Sequence, residues 1–282
     1  GQFPSGSTFK PIVAAAAYDE GVIDEHTSVV STGGIRIGQF YFPDWKAGGH
    51  GVTDVRKAIA ESVNTFFYMI GGGYREFDGL GLEAMMNSAK RFGLGQALGI
   101  DLPGEASGFL PSVEWKNRVK NEPWYIGDTY HAAIGQGDIL VTPLQVAAFT
   151  AAFANGGKVF KPQIVDGYES QGKYHDISSV VINDQVASDA AIDIVRRGLR
   201  DAVTSGSARR LGGLPISSAG KTGTAQWHSV KDNHAWFTGF APYEQPEIVV
   251  TVLIQEGGEG SAVAVPLTYD IFDWWFTNHV DD

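Results

Sequence analysis

The first residues that could do chemistry stand almost at the start of the chain, where Ser7 and Lys10 form a Ser-x-x-Lys pattern ahead of Pro11. Residues three apart on a helix share a face, so the two side chains would lie about one turn apart. A serine hydroxyl is a weak nucleophile until a base removes its proton, and a lysine can be that base when burial or a nearby cation lowers its pKa. The pattern indicates a nucleophilic serine, although taken alone it also fits an ordinary helix start.

Two further patterns supply partners for such a serine. Ser62 and Asn64 lie on a tight connector between two helical stretches, where a hydroxyl and an amide can project into a cleft. The alternative for this pair is a helix–helix turn in which both side chains satisfy the backbone. The third pattern, 221–224, reads Lys-Thr-Gly-Thr on a strand candidate. Each pattern is weak alone, and their order along the chain makes the combination informative.

Composition limits the class of protein. The chain has 282 residues, 43% of them hydrophobic, which suits one large globular domain or a domain with an insertion. Its formal net charge of −11 argues against a nucleic-acid-binding surface, and the absence of cysteine excludes disulfides and thiolate metal sites. No signal peptide or membrane-spanning stretch is visible. Because the chain opens six residues before Ser7, we interpret it as part of a longer protein whose upstream region carries an anchor.

The patterns must be positioned by surrounding helices and strands. We expect a first helix over 7–18, helices over 55–61, 65–70, 80–92 and 144–154, a helix capped by Ser188, and a closing helix over 263–279. Residues 27–52 would be irregular strand and loop, 93–130 long surface loops, 158–182 two short strands or ribbons, and the part after Ser217 a three-stranded antiparallel meander. Four aromatic residues of the closing helix would pack against that sheet: Tyr269, Phe272, Trp275 and Phe276.

The fold class predicted is α/β (α+β), an antiparallel sheet flanked by helices. A mostly helical and loop subdomain would cover about 20–210, and the sheet strands with the closing helix would cover 211–282. Asp44 and His50 could be two ligands of a metal site, but zinc needs three or four, so a hydrogen bond within the loop is preferred. The seven histidines, His131 and His234 among them, are interpreted as structural or exposed.

The three patterns together resemble those of the penicillin-binding protein and serine β-lactamase superfamily. Nearly the whole chain is similar to the transpeptidase domain of class B penicillin-binding proteins, and the Trp-Tyr-x-Gly-Asp-Thr stretch is most similar to penicillin-binding protein 2 of the cell-elongation machinery. The stretches that carry this resemblance are 44–46, 61–68, 124–129, 134–137, 142–145 and 219–226.

The resemblance implies a role for each matching residue. Ser7 would be acylated, Lys10 would be its general base, Ser62 would relay the proton to the leaving amine, and Asn64 would hold Lys10 and the substrate amide. Lys221 would add positive field and help keep Lys10 neutral. The remaining implied contacts are an oxyanion hole from the backbone N–H groups of Ser7 and Thr224, carboxylate binding by Thr222 and Thr224, and room for substrate at Gly223.

The implied activity is peptidoglycan cross-linking on the extracytoplasmic (periplasmic) face of the bacterial cytoplasmic membrane. The partners implied are stem peptides ending in D-Ala–D-Ala, β-lactams that trap the serine, and a membrane glycosyltransferase of the elongation complex. No cofactor is implied. The alternatives are a serine β-lactamase, for which no deacylation glutamate is assignable, and a β-lactam sensor or scaffold without cross-linking activity. A Ser-His-Asp hydrolase is the weakest option, since no Gly-x-Ser-x-Gly is present.

Three departures from the family pattern lead to further expectations. The family places strands of its central sheet before the Ser-x-x-Lys helix, so the sheet here would be incomplete and would have an exposed edge. Some relatives carry zinc near the region of Asp44 and His50 through a cysteine, whereas the matching position near Val63 is apolar, so we predict no zinc. Close relatives often have Asp where Asn64 stands.

Overall fold

Helix α1 (Lys10–Asp19) lies at the centre of the fold in a computed structural model, which describes residues 1–278. Pro11 lies in its first turn, where no intrahelical N–H is needed. Every residue from Lys10 to Ala17 is buried, and the run of four alanines lets neighbouring helices approach closely on all sides. The predicted first helix is therefore confirmed, with the difference that Ser7 lies in a 3-10 turn (Gly6–Phe9) directly before it.

Most of the remaining helices form where capping residues and apolar periodicity predicted them. Asp54 accepts from the Lys57 N–H, Thr142 from the Gln145 N–H and Ser188 from the Ala191 N–H. Within residues 1–278 the helices after α1 are α2 (Val55–Ala60), α3 (Asn64–Gly72), α4 (Gly81–Arg91), α5 (Val113–Lys120), α6 (Ile126–Ala133), α7 (Pro143–Ala154), α8 (Asp189–Thr204) and α9 (Gly260–Asn278). His279, the predicted end of the closing helix, lies outside the described residues.

The strands form one three-stranded antiparallel sheet and several two-stranded ribbons. In chain order they are β1 (Ser28–Ser31), β2 (Gly34–Ile37), β3 (Phe40–Pro43), β4 (Gly51–Asp54), β5 (Val159–Phe160), β6 (Gly167–Ser170), β7 (Lys173–Asp176), β8 (Val181–Asn183), β9 (Ala219–Ala225), β10 (His234–Ala241) and β11 (Ile248–Ile254). The sheet order is β11-β10-β9, which confirms the predicted meander. Strand β9 forms one edge and β11 the other, with no further strand beside β11 among residues 1–278.

One stretch differs from the prediction. Residues 93–130 contain α5 and the start of α6 rather than loops alone: Ser112 caps α5 by accepting from the Trp115 N–H (3.1 Å), and the Lys116 ammonium binds the Asp128 carboxylate (2.6 Å) between the two short helices. Residues 158–182 were predicted as two short strands or ribbons, and they take part in two ribbons, in which β5 pairs with β8 and β6 pairs with β7. Periodicity within one segment does not report which strands pair.

The sheet is covered on both faces. Helix α9 packs on one face of β10, and α7 with α8 pack on the other side of the sheet, so that all eight residues of β10 are buried. Phe272 of α9 is fully buried, and Tyr269 and Phe276 pack beside it, as predicted, whereas the packing of Trp275 against the sheet stays a prediction. None of the helices in residues 1–278 has both the length and the apolar character that a membrane crossing needs. The division into two subdomains near residue 210 stays a prediction.

Candidate active site

Lys10 joins the first two sequence patterns. Its side chain is fully buried, and Nζ donates to the Ser62 carbonyl (2.8 Å), the Ser62 hydroxyl (3.2 Å) and the Asn64 amide oxygen (2.7 Å). Burial lowers the pKa of Lys10 from 10.5 to about 7, although the negative charge of Asp44 opposes the shift. A substantial fraction of Lys10 is therefore neutral near neutral pH, as a general base requires.

Ser7 lies in the 3-10 turn before α1 and lines a cleft of about 840 Å³. The same cleft is lined by Ser62, Asn64, Thr222 and Thr224, so the residues of all three patterns border one space. Lys10 directs its hydrogen bonds at Ser62 and Asn64 in this state. Contact between Lys10 and the Ser7 hydroxyl thus requires a change of partner, which is common in active sites without substrate.

The connector that carries Ser62 is a helix C-terminal motif with an unusual residue. The Val63 N–H donates to the Ala58 carbonyl (3.0 Å) and the Ser62 N–H to the Ile59 carbonyl (3.3 Å), the pattern of a Schellman motif. Ser62 occupies the left-handed position with φ 58°, which glycine normally takes. Serine at this position costs backbone strain, but it places a hydroxyl where the usual glycine would have no side chain.

Asp44 holds the other side of the connector. Its carboxylate accepts from the Asn64 N–H (3.2 Å), the Thr65 N–H (2.8 Å) and the Thr65 hydroxyl (2.7 Å) at the first turn of α3. Burial raises the pKa of Asp44, but these hydrogen bonds and the charge of Lys10 outweigh burial and lower it overall. Asp44 therefore caps α3 from a distant segment and places a negative charge near Lys10.

The preferred hydrogen bond within the loop is present for Asp44, which accepts from the Trp45 N–H (2.9 Å), but not for the His50 side chain, which binds Glu61 at the end of α2. The His50 Nδ1 contacts Glu61 Oε2 (2.6 Å), and its Nε2 lies 3.6 Å from Asp44 Oδ1. In the part of the chain that the structure describes, no group of three or more His, Cys, Asp or Glu is arranged to hold a metal ion. The absence of zinc stays a prediction, which zinc analysis of the purified protein would check.

The third pattern lies on β9 at the opposite wall of the cleft. Lys221 is fully buried, and burial followed by the charge of Lys10 lowers its pKa well below 10.5. The sequence assigned Lys221 the task of keeping Lys10 neutral, but burial is the main cause of the shift at Lys10. A Cβ on Gly223 would lie 2.9 Å from both Thr8 Cγ2 and Trp236 Cβ, so internal packing is a further reason for glycine there.

Several polar residues of the cleft received no catalytic role from the sequence. Ser207 shares a hydrogen bond with the Thr222 hydroxyl (2.8 Å), and the Thr224 hydroxyl donates to Glu259 (3.0 Å). Asp44 and Gln136 lie in stretches that carried the family resemblance, so a signal for them existed in the sequence. Ser207 and Glu259 gave no such signal. Two glutamates, Glu61 and Glu259, also line the cleft, although the sequence offered no assignable one.

Comparison with known proteins gives a consistent picture. A family model described as the penicillin binding protein transpeptidase domain matches residues 1–273. The peptidoglycan D,D-transpeptidase MrdA of Haemophilus influenzae is 35% identical over 307 residues, which cover 99% of this chain and 45% of that protein. The chain thus spans about half the length of the curated relatives it matches.

Solved structures agree in fold. The penicillin-binding protein PBP2 of Pseudomonas aeruginosa in complex with WCK 5153 superposes with a TM-score of 0.83 at 34% identity, covering 98% of this chain and 61% of that one. The PBP2 of Helicobacter pylori in complex with MreC gives a TM-score of 0.83 at 31% identity, covering 99% of this chain and 50% of that one. These matches confirm the predicted fold and the resemblance to elongation-type relatives.

Proposed function

The chain belongs to the penicillin binding protein transpeptidase domain family, and on that premise we propose that the protein is a serine-type peptidoglycan D,D-transpeptidase. The observation that carries the proposal is the state of Lys10. Its amine is fully buried, has a pKa lowered to about 7, and contacts Ser62 and Asn64 at the wall of the cleft that Ser7 lines. A serine that can reach such a base is suited to acyl transfer.

In the first half-reaction Ser7 Oγ attacks the carbonyl of a D-Ala–D-Ala bond. Lys10 accepts the serine proton, the new ester bond forms, and the C–N bond breaks. Neutral Lys10 has a lone pair and can accept this proton. The protonated Lys10 then transfers a proton to the leaving nitrogen through the Ser62 hydroxyl, 3.2 Å away. D-Alanine departs as the free amino acid, and the enzyme is left as the Ser7 ester with a neutral Lys10.

The opposite wall would bind the substrate's negative charges. The backbone N–H groups of Ser7 and Thr224 would stabilise the oxyanion, and the hydroxyls of Thr222 and Thr224 would bind the terminal carboxylate. Ser207 supports the Thr222 hydroxyl (2.8 Å) in this arrangement. Lys221 supplies a buried amine on the same strand, within electrostatic reach of Lys10.

In the second half-reaction an amine of a neighbouring stem peptide attacks the Ser7 ester. Lys10, neutral again after the leaving group has taken its proton, removes a proton from the incoming amine. The new amide forms the cross-link, and the ester C–O bond breaks to restore Ser7 with that proton. A β-lactam would enter as the first substrate does and remain attached to Ser7.

The cellular setting follows from the relatives. The MrdA match and the PBP2 structures support the elongation type. One neighbour was solved with MreC and another as a peptidoglycan synthase complex, which supports a membrane glycosyltransferase partner for this protein. We propose that the domain acts on the extracytoplasmic face of the bacterial cytoplasmic membrane.

The test uses a stem pentapeptide ending in D-Ala–D-Ala together with an amine acceptor. Mass spectrometry should detect release of D-alanine and a cross-linked product, and a Ser7→Ala variant should form neither. Penicillin acylation without D-alanine release would instead support the sensor. Rapid penicillin turnover would support the β-lactamase.

A further inference from the structure

Gln136 takes part in none of the roles above, although it lies in the Ile-Gly-Gln-Gly stretch that marked the family. Its backbone is fixed, since the Gln136 N–H donates to the His131 carbonyl (2.9 Å) and the flanking Gly135 and Gly137 have φ values of 70° and 76°. A Cβ on Gly135 would lie 2.1 Å from the Gly6 carbonyl, so the stretch is pressed against the turn that carries Ser7. Gln136 is therefore held rigidly at the cleft.

The side chain of Gln136 pairs with the backbone of Gln226. Its amide nitrogen donates to the Gln226 carbonyl (3.0 Å), and its amide oxygen accepts from the Gln226 N–H (3.0 Å). In the opposite orientation the amide nitrogen would donate only a long bond to the Thr224 carbonyl (3.4 Å) and would face the Gln226 N–H, while the oxygen would face the Gln226 carbonyl. We therefore assign the orientation that makes two bonds of 3.0 Å. The two bonds copy the pair that a residue of an added antiparallel strand would make.

Gln226 directly follows β9 (Ala219–Ala225), so its backbone continues the open edge of that strand. Successive residues of an edge strand turn their N–H and C=O alternately toward the neighbouring strand and toward the open side. Thr222, Thr224 and Gln226 share one parity, and the Thr222 carbonyl accepts from Lys221 Nζ (3.0 Å). The edge position at Gln226 is thus filled by Gln136 and the one at Thr222 in part by Lys221, with Thr224 between them.

We propose that Gln136 is a specificity-determining residue that ends strand addition at Gln226, so that β9 pairs with a single substrate residue, the one that acylates Ser7. This inference rests on the proposed function. With the terminal carboxylate toward Thr222, the chain upstream of the acylated residue heads toward Gln226. At Gln226 the side chain of Gln136 keeps the substrate chain off the strand edge. The enzyme therefore makes no hydrogen bond to the substrate's backbone N–H two residues upstream of the acylated residue.

Three peptides test the inference. The parent ends in D-Ala–D-Ala, and two depsipeptides each replace one backbone N–H by oxygen, either at the acylated residue or two residues upstream. The protein, a Gln136→Ala variant and a Gln163→Ala control are compared by kcat/KM for D-alanine release. Gln163 binds the Ile177 carbonyl outside the cleft, so its loss should leave the pattern unchanged.

We expect the first depsipeptide to lose about 10-fold in every protein, because it leaves the Thr224 carbonyl without a donor. The second should stay within about two-fold of the parent in the unchanged protein, and should fall at least about three-fold below it in Gln136→Ala, where the Gln226 edge is open. A larger loss for the second depsipeptide in the unchanged protein would overturn the inference. No loss in Gln136→Ala would overturn it as well.

Benzylpenicillin labelling of Ser7 in the same samples separates the two levels of the argument. Labelling together with an absent depsipeptide pattern would refute the role of Gln136 alone. No labelling of folded protein would refute the proposed function on which that role rests.

Discussion

At the scale of single residues, the site depends on how far burial changes the chemistry of Lys10. Desolvation disfavours the ammonium form, and the contacts to Ser62 and Asn64 only partly replace the lost water. The result is an amine with a pKa near 7 in place of 10.5. An arginine buried at the same place would keep its proton and could not act as a base.

The first prediction concerns pH. Since only neutral Lys10 accepts the Ser7 proton, the acylation rate should rise with pH through about 7 and level off above it. Arginine keeps its proton, so Lys10→Arg should lose about 100-fold or more in acylation rate at every pH. Stopped-flow acylation by a fluorescent penicillin measures both. A rate that does not change between acid and mildly alkaline pH would contradict the role of Lys10.

A second residue-scale prediction concerns Glu259, whose carboxylate accepts from the Thr224 hydroxyl. A negative charge at this place repels a carboxylate ligand and competes for the hydroxyl. Glu259→Gln should raise the rate of acylation by anionic β-lactams about three-fold, and less at high salt. Glu256→Gln is the matched control, because Glu256 lies three residues earlier and pairs with Lys231 (2.8 Å). Equal effects of the two variants would rule out a local action of Glu259.

At the scale of elements, the Ser-x-Asn connector combines a helix end and a helix start under constraint. Helix α2 ends in a Schellman motif with Ser62 in the left-handed position, and α3 begins on a cap that Asp44 provides. Together they place the Ser62 hydroxyl and the Asn64 amide within hydrogen-bond distance of Lys10. The element therefore gives up some stability to hold a hydroxyl and an amide in place.

The third prediction separates strain from chemistry at Ser62. Glycine and alanine both remove the hydroxyl, so Ser62→Gly and Ser62→Ala should both lose penicillin acylation. Glycine accepts φ 58° freely, so the Gly variant should unfold with a free energy about 1 kcal/mol higher than the Ala variant. Urea unfolding measures the difference. Equal stabilities would show that the left-handed backbone at this position is not strained.

The fourth prediction concerns the cap that Asp44 provides. Asp44→Asn keeps the volume but turns an NH₂ group toward the N–H groups of Asn64 and Thr65, and should cost about 2 kcal/mol of stability. The negative charge of Asp44 raises the pKa of Lys10, so its removal should shift the rising limb of the pH profile to lower pH. If Asp44→Asn lowered the acylation rate without shifting the pH at which that rate rises, Asp44 would act through structure alone.

The elements also show where the sequence sufficed. Helices α1, α7 and α8 and the β9–β11 meander were predictable because caps and periodicity report local structure. Helices α5 and α6 were missed because their segment is dense in Gly, Pro and Trp, although Ser112 caps α5 and Asp128 accepts from the Tyr125 N–H at the start of α6. The remote cap at Asp44 and the pairing of Gln136 with Gln226 depend on segments far apart in the chain, which no local pattern reveals.

At the scale of the whole molecule, the cleft exists only where three distant parts of the chain meet. The 3-10 turn at Ser7, the connector at Ser62 and strand β9 each supply one wall, and α1 with α8 support all three from behind. The sequence identified the residues of each wall by type and order. The family resemblance implied their convergence, and Ser7, Ser62 and Thr222 do line one cleft.

The most direct test of the central claim is the intact mass of folded protein after incubation with benzylpenicillin, beside a Ser7→Ala variant. We predict a single adduct with the mass of the antibiotic that persists for hours, maps to the peptide containing Ser7, and is absent from the variant. An adduct that also forms on the Ser7→Ala variant, or folded protein that forms none, would contradict the assignment of Ser7 as the acylated nucleophile.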